Sequence, residues 1–457
     1  MMKKFVAMLL SLVLLLSCGA GFRCAAEQPL DTDQVWELVG KAYIYAFPLA
    51  LTDATKTLST NTDGSLTGRA PINQFNHVKK LADAAFRTVV TPNVDTIYSQ
   101  AWMDLRAEPM IYVHPETDRF CNMQLLDAWT NTAALIDQPG VYAITTPEWQ
   151  GTLPQGVTRV DVPTATVWAI LRTVLSGTED LPNVYAIQEQ MQLLPLSAYV
   201  QGGTYTAPQG TYSPENEFVP VNKVLSMSPA EFFNTVNALM QENKPAPEDA
   251  PLLEELSAIG VGPGLVFDAS VLGENAAERW VQMLQSLRAT LAAEGVNYSH
   301  KLGQWLYYGR PIGDFGTAYH YRAMVALVGL GANTVDVAIY PKTEKDITGE
   351  TLTGEKTYTL HFETLPPVLE GGFWSITAYN EENFLIDNPI NRYCINDRSD
   401  FQRNEDGTLD IVLSKEAPEN ISNWLPVSDG QFHLFMRIYL PDMAALDDWQ
   451  PPVIRQQ

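Results

Sequence analysis

The segment Thr91-Pro92-Asn93-Val94-Asp95-Thr96-Ile97-Tyr98 sets a carboxylate, an amide and a phenol close together in a stretch that proline stiffens. Proline disfavours the helical region for the residue before it, so Thr91 is expected to be extended. Asn93 and Asp95 can each bond nearby backbone, which predicts an Asx-type turn entering a strand. Held in such a turn, Asp95 is a candidate acid–base group, with Asn93 and Tyr98 placed to orient a ligand. A rigid turn with no ligand accounts for the same residue types.

Two further groups of residues carry charge or aromatic surface. Tyr319-His320-Tyr321-Arg322 precedes the small-residue run Gly329-Leu330-Gly331-Ala332, and Asn391-Arg392-Tyr393-Cys394-Ile395-Asn396-Asp397-Arg398 follows later. Arg322, Arg392, Arg398 and Arg437 are candidate anion ligands, since a guanidinium binds carboxylate or phosphate through two parallel N–H bonds. Asp397 is a candidate in the same site, or it pairs with a neighbouring arginine in a salt-bridged loop. Trp374, Tyr379 and Trp424 are candidate aromatic walls for an apolar ligand or a sugar ring.

Familiar catalytic signatures are missing: GxSxG, HExxH, a Walker loop, a strand-linked GxGxxG and CxxC do not occur. His77, His114, His300, His320, His361 and His433 form no i, i+4 pair, so neither a metal site nor a cofactor is expected.

The elements that must position these groups show in the periodicity. Trp36, Val39, Tyr43 and Phe47 predict a helix over 33–47 that Pro48 ends, capped by Thr32 or Asp33. Residues 110–113, 141–144 and 166–171 read as short strands separated by Pro and Gly turns. Residues 201–217 read as a linker or surface loop. Ser228-Pro229-Ala230-Glu231 is a capping box opening a helix, and a second helix is expected over 274–294, ended by Gly295. Phe432, Leu434, Met436, Ile438 and Leu440 alternate with His433, Phe435, Arg437 and Tyr439, which predicts a strand with a core face and a cleft or solvent face. Trp374, Ile376 and Ala378 alternate likewise with Phe373, Ser375, Thr377 and Tyr379. Asp406-Gly407 marks a turn before 411–413.

At the N-terminus, Lys3 and Lys4 precede the apolar run 5–16 and then small residues, the layout of an export signal. Cleavage after Ala26 is one expectation. Lipidation at Cys18, within Leu15-Leu16-Ser17-Cys18, is the other, and would supply the only membrane attachment. Periplasmic, secreted and outer-membrane-tethered locations all remain open. Of 457 residues, 29 are basic and 53 acidic. Without Lys3, Lys4 and Arg23 the net charge is near −27. Such a surface repels nucleic acid and anionic lipid. Cys121 and Cys394 are expected to be separate thiols or one disulfide. Oligomeric state is not legible.

Several of these segments together resemble a bacterial and fungal pair, domain of unknown function 1254 followed by domain of unknown function 1214. Thr91-Pro92-Asn93-Val94-Asp95-Thr96 and Trp168-Ala169-Ile170-Leu171-Arg172-Thr173 carry the first likeness. Arg322-Ala323, Gly329-Leu330-Gly331-Ala332, Gly372-Phe373-Trp374-Ser375-Ile376-Thr377, Asn391-Arg392-Tyr393, Asp397-Arg398 and Asn423-Trp424-Leu425-Pro426 carry the second. The resemblance implies a multi-domain α+β chain with an immunoglobulin-like sandwich, a helical middle and a jelly-roll-like sandwich. It implies no activity. The periodicity suggests divisions at 1–26 (signal), 27–60 (helical segment), 61–200 (small sandwich), 201–300 (linker and helices) and 301–457 (larger sandwich).

Three functions fit: an exported enzyme acting on a small polar or carboxylated molecule between the sandwiches, an envelope binding protein for a sugar or lipid-like ligand, and a structural envelope component.

Overall fold

The computed structural model describes residues 30–457, so the cleavage expectations and Cys18 lie outside the described residues. The chain is mixed α+β, with nine α-helices and four sheets among the described residues. None of these helices is long and apolar enough to cross a membrane.

The first helix runs Thr32–Thr60, passing through Pro48. Asp31, rather than Thr32 or Asp33, is its cap, in a capping box with Gln34. An internal proline costs about 3 kcal/mol in a lone helix. Here Leu49, Ala50 and Leu51 beyond it are buried, and each buried leucine returns roughly 2 kcal/mol. The helix is the spine of a helical layer shared with Pro229–Glu242, Ala276–Asn297 and Tyr319–Gly329. The Ser228 capping box forms as expected. Gly295 does not end its helix; it lies inside, where a Cβ would come within 3.2 Å of the Tyr308 hydroxyl and 3.4 Å of Met324. Its smallness serves close packing, not termination.

Two β units make up the rest of the described fold. In the first, a five-stranded sheet ordered Phe75–His77, Thr96–Asp104, Thr166–Val174, Cys121–Leu126, Thr132–Ile136 packs on a four-stranded sheet. Ala101, Met103, Met123, Leu125, Ala169 and Leu171 from one sheet meet Met110, Tyr112 and Ile144 from the other. In the second unit, the long strands Val368–Asn380 and Phe432–Pro441 pair antiparallel at the centre of a seven-stranded sheet. Trp374, Ile376, Leu434, Met436 and Ile438 form its core face, against Tyr358, Leu360, Phe362 and Ile411. The alternation read along both strands is realised as far as Ile438, and the other face carries Phe373, Ser375, Thr377, Tyr379, Arg437 and Tyr439; Leu440, at φ +46°, leaves the core face and packs with Phe373 and Tyr439.

Candidate functional site

Side chains alternate across a strand, so the outer face of the five-stranded sheet is set by the same register that fills its core. Tyr98 lies opposite Arg172, and Arg172 opposite Asn122, making one polar row across three strands. The cleft face of the second unit is turned toward this row: the Asn93 amide donates to the hydroxyls of Tyr439 at 2.7 Å and Tyr98 at 3.4 Å. The two β units thus meet through polar faces, with residues 91–95 inserted between them.

This inserted segment is anchored at every step. Thr91 is not extended; its φ is +46°, a conformation that costs a β-branched residue on the order of 1–3 kcal/mol. It persists because the surroundings specify it. The Thr91 N–H donates to the Asn383 carbonyl, its carbonyl accepts from Arg437 Nη2 at 3.0 Å, and the Pro92 carbonyl accepts from the Tyr379 hydroxyl at 2.7 Å. Asn93 Oδ1 accepts from the backbone of Asp95 and Thr96, the expected Asx turn.

Asp95 is wholly buried. Its Oδ2 accepts from Ser375 Oγ at 2.5 Å, and its Oδ1 from Arg398 Nη2 at 3.2 Å and Asn396 Nδ2 at 3.3 Å. Both oxygens are engaged. Cys394 lies beside them, its thiol directed at Asp95 across 3.9 Å. Burial foremost, and then the Asp95 charge, push that thiol far above the usual range. Cys121 and Cys394 are both free thiols. Arg398 also pairs with Asp397 at 2.5 Å, so the salt-bridged loop exists, and burial raises the Asp397 carboxyl despite that arginine.

The four candidate arginines do not form one floor. Arg437 and Arg398 are in the interdomain layer. Arg392 spends its guanidinium on the carbonyls of Ile421, Ser422 and Trp424, a backbone clamp. Arg322 is in the helical layer, its guanidinium 5.2–5.5 Å from the ring centres of Trp129, Tyr319 and Tyr45. The aromatic walls are core: Trp374, Tyr379 and Trp424 are almost fully buried, and the Trp424 indole donates to the Ser414 carbonyl.

Arg172 is the residue that sequence reasoning passed over. It is 6% exposed, has no carboxylate within ion-pair distance among the described residues, and leaves Nε without a partner. Nη1 donates to Gln124 Oε1 at 3.0 Å, and the Tyr98 hydroxyl lies within hydrogen-bonding reach of the guanidinium. The phenols of Tyr98, Tyr340 and Tyr439 are its strongest polar neighbours, with the Tyr98 ring centre 5.6 Å away. Each hydroxyl accepts from an asparagine amide, Tyr340 from Asn333 and the other two from Asn93, and none donates to an acceptor among the described residues. Burial, with Tyr340 and Tyr98 beside it, holds the Tyr439 phenol well above its ordinary range, so it keeps its proton. The row therefore presents several donors and one uncompensated cation. Tyr98, Tyr340 and Asn93 are half-buried and reach solvent, whereas Arg172, Tyr439 and Asn122 do not.

Two surface cavities, of about 230 and 350 Å³, lie elsewhere, around Arg106 and Trp149 and around His361 and Arg455. No group of three or more His, Cys, Asp or Glu among the described residues is arranged to hold a metal ion.

The layer is built from two stretches that match family models. Residues 72–195 match the protein of unknown function family DUF1254, and residues 337–443 match the protein of unknown function family DUF1214. The chain belongs to this family pair. Asn93, Asp95, Tyr98 and Arg172 fall in the DUF1254 stretch, and Tyr340, Ser375, Arg398, Arg437 and Tyr439 in the DUF1214 stretch. The VPA0106 protein from Vibrio parahaemolyticus is similar in fold, at 22% identity over 93% of this chain and 100% of its own, with a TM-score of 0.68. An uncharacterized protein from Burkholderia cenocepacia aligns over 93% of this chain and 92% of its own at 12% identity, with a TM-score of 0.41. No curated protein matches.

Proposed function

We propose that the protein is an exported binding protein for a small carboxylated molecule, held between its DUF1254 and DUF1214 units with Arg172 as the anion-recognising group. One observation carries this: among the described residues, Arg172 is buried without a counter-charge, amid three phenols whose protons meet no acceptor. A buried cation is normally paired, because removing it from water costs several kcal/mol. A side-on carboxylate would meet Arg172 Nε and Nη2 and accept from the phenols. In this proposal Asn93 and Tyr98 orient the ligand, and Asp95 with Arg398 and Arg437 fastens the two units; its engaged oxygens favour that over acid–base chemistry. Removal of residues 1–26, or a lipid at Cys18, would set where the protein resides. The β units are read as immunoglobulin-like and jelly-roll-like sandwiches.

Isothermal titration of small mono- and dicarboxylates into the protein tests the site. Binding that falls at least tenfold in Arg172→Gln, with the exposed Arg288→Gln unaffected, is expected. Equal affinity in the Arg172 variant overturns the proposal.

A further inference from the structure

The donors around Arg172 account for one part of a ligand. Two acceptors account for another. Asn122 and Asn333 are 3% and 2% exposed, and the side-chain oxygen of each lacks a hydrogen-bond partner among the described residues. Both belong to the same row: Asn122 is the cross-strand neighbour of Arg172, and the Asn333 amide donates to the Tyr340 hydroxyl at 2.8 Å. Native folds rarely leave buried amide oxygens unmet, so two in one cluster is a pattern to explain.

We infer that the ligand is a hydroxylated carboxylate, such as a sugar acid, its carboxylate on Arg172 and its hydroxyls donating to Asn122 and Asn333. This rests on the carboxylate reading above. The row's chemistry excludes simpler occupants. A neutral sugar would supply hydroxyls but leave the Arg172 charge unmet. An unsubstituted fatty acid would meet the charge but strand both amide oxygens. An amino group in place of the hydroxyls would bring a second cation to a site where no protein carboxylate compensates the first. A single carboxylate also matches the single charge of Arg172, whereas a phosphate dianion exceeds it.

Sites built to bond a ligand hydroxyl reject analogues without it, because the protein's own buried groups are then left unpaired. The test compares gluconate with hexanoate, which has the same carbon number and no hydroxyls, by isothermal titration, with glucose and inorganic phosphate as further arms. Gluconate is expected to bind at least tenfold more tightly than hexanoate. Asn122→Leu and Asn333→Leu should each shrink that ratio while leaving hexanoate affinity in place; Asn122→Ser and Asn333→Ser, which keep a polar atom, serve if the leucine variants do not fold. Equal affinity for gluconate and hexanoate overturns the inference and leaves the carboxylate site standing, as does a preference for gluconate that survives both substitutions. Glucose or phosphate binding more tightly than either acid, or no acid binding, overturns both.

Discussion

Arg398 holds Asp95 at 3.2 Å across the boundary between the two β units, with the carboxylate wholly buried and the arginine side chain 17% exposed. The pair joins positions 303 residues apart. Its partners Ser375 and Asn396 complete the carboxylate's hydrogen bonds, so the contact is both ionic and geometrically specific.

Asp95→Asn should therefore lower the stability of the whole chain by about 2 kcal/mol, because the buried group loses its charge-assisted bonds to Ser375 and Arg398, although Arg398 keeps Asp397 as a partner. Urea denaturation measures it. A midpoint within error of the parent protein would show that the two units are joined mainly by other contacts.

Arg172→Met is expected to act in the opposite direction. Replacing a buried, uncompensated cation by an apolar side chain of similar length should raise ligand-free stability by about 1 kcal/mol or more. A lower melting temperature in the variant would mean that the Gln124 bond and the Tyr98 ring already compensate the charge.

Two kinds of histidine should give opposite pH responses. Burial holds His77, His114 and His433 neutral, down to about 4. The unfolded chain takes up protons near 6.5 and the folded chain does not, so stability falls as pH drops from 6.5 toward 4. His433→Gln should flatten that fall. His361 is shifted up, first by its hydrogen bond to Asp410, 2.6 Å away, against a smaller effect of burial. Its contribution is complete below the unfolded value and is lost as pH rises through the higher folded one. His361→Gln should therefore cost more at pH 6 than at pH 8, and equal losses at both would contradict the assignment.

Gly331 sits at φ +80°, where a Cβ would come within 3.0 Å of Trp168 and 3.1 Å of Ile170. Gly331→Ala should cost about 2 kcal/mol from backbone strain and overpacking together. Wild-type stability in this variant, by chemical denaturation, would show that the loop after Tyr319–Gly329 can move aside.

Both described thiols should be inert in the folded protein, since burial pushes Cys121 up to about 11 and Cys394 higher still. Peptide mapping after treatment with a maleimide should find neither labelled until urea is added. Rapid native labelling of Cys394 would mean that the layer around Asp95 opens readily.

Much of the fold was legible because alternation has a physical cause. Phe432 to Tyr439 displays its two faces in the order of its residues, and the cleft face lies where that order places it; Leu440 breaks the order because its backbone turns to a positive φ. Pro48 misled because the cost of proline is local while the burial that offsets it comes from helices distant in sequence. Gly295 misled for a similar reason: a glycine that ends a helix and one that admits Tyr308 and Met324 look the same in one dimension. In the candidate site, Asn93, Asp95 and Tyr98 were legible because their spacing around a proline is unusual. Arg172 was not, because a single arginine in a strand resembles any solvated side chain. What distinguishes it is the lack of a partner, a property of three-dimensional surroundings alone.

The strained turn at Thr91 has a consequence for biogenesis. Its holders, Asn383 and Arg437, are made hundreds of residues later, as are Ser375 and Arg398 for Asp95. During synthesis the first β unit is complete in sequence long before anything exists to close its polar outer face. That face must wait, hydrated, until the strand Phe432–Pro441 of the second unit emerges. Such long-range closure slows folding and leaves a partly assembled state exposed to aggregation or proteolysis. A chain released early, before residue 437, would therefore fail at its beginning as well as at its end.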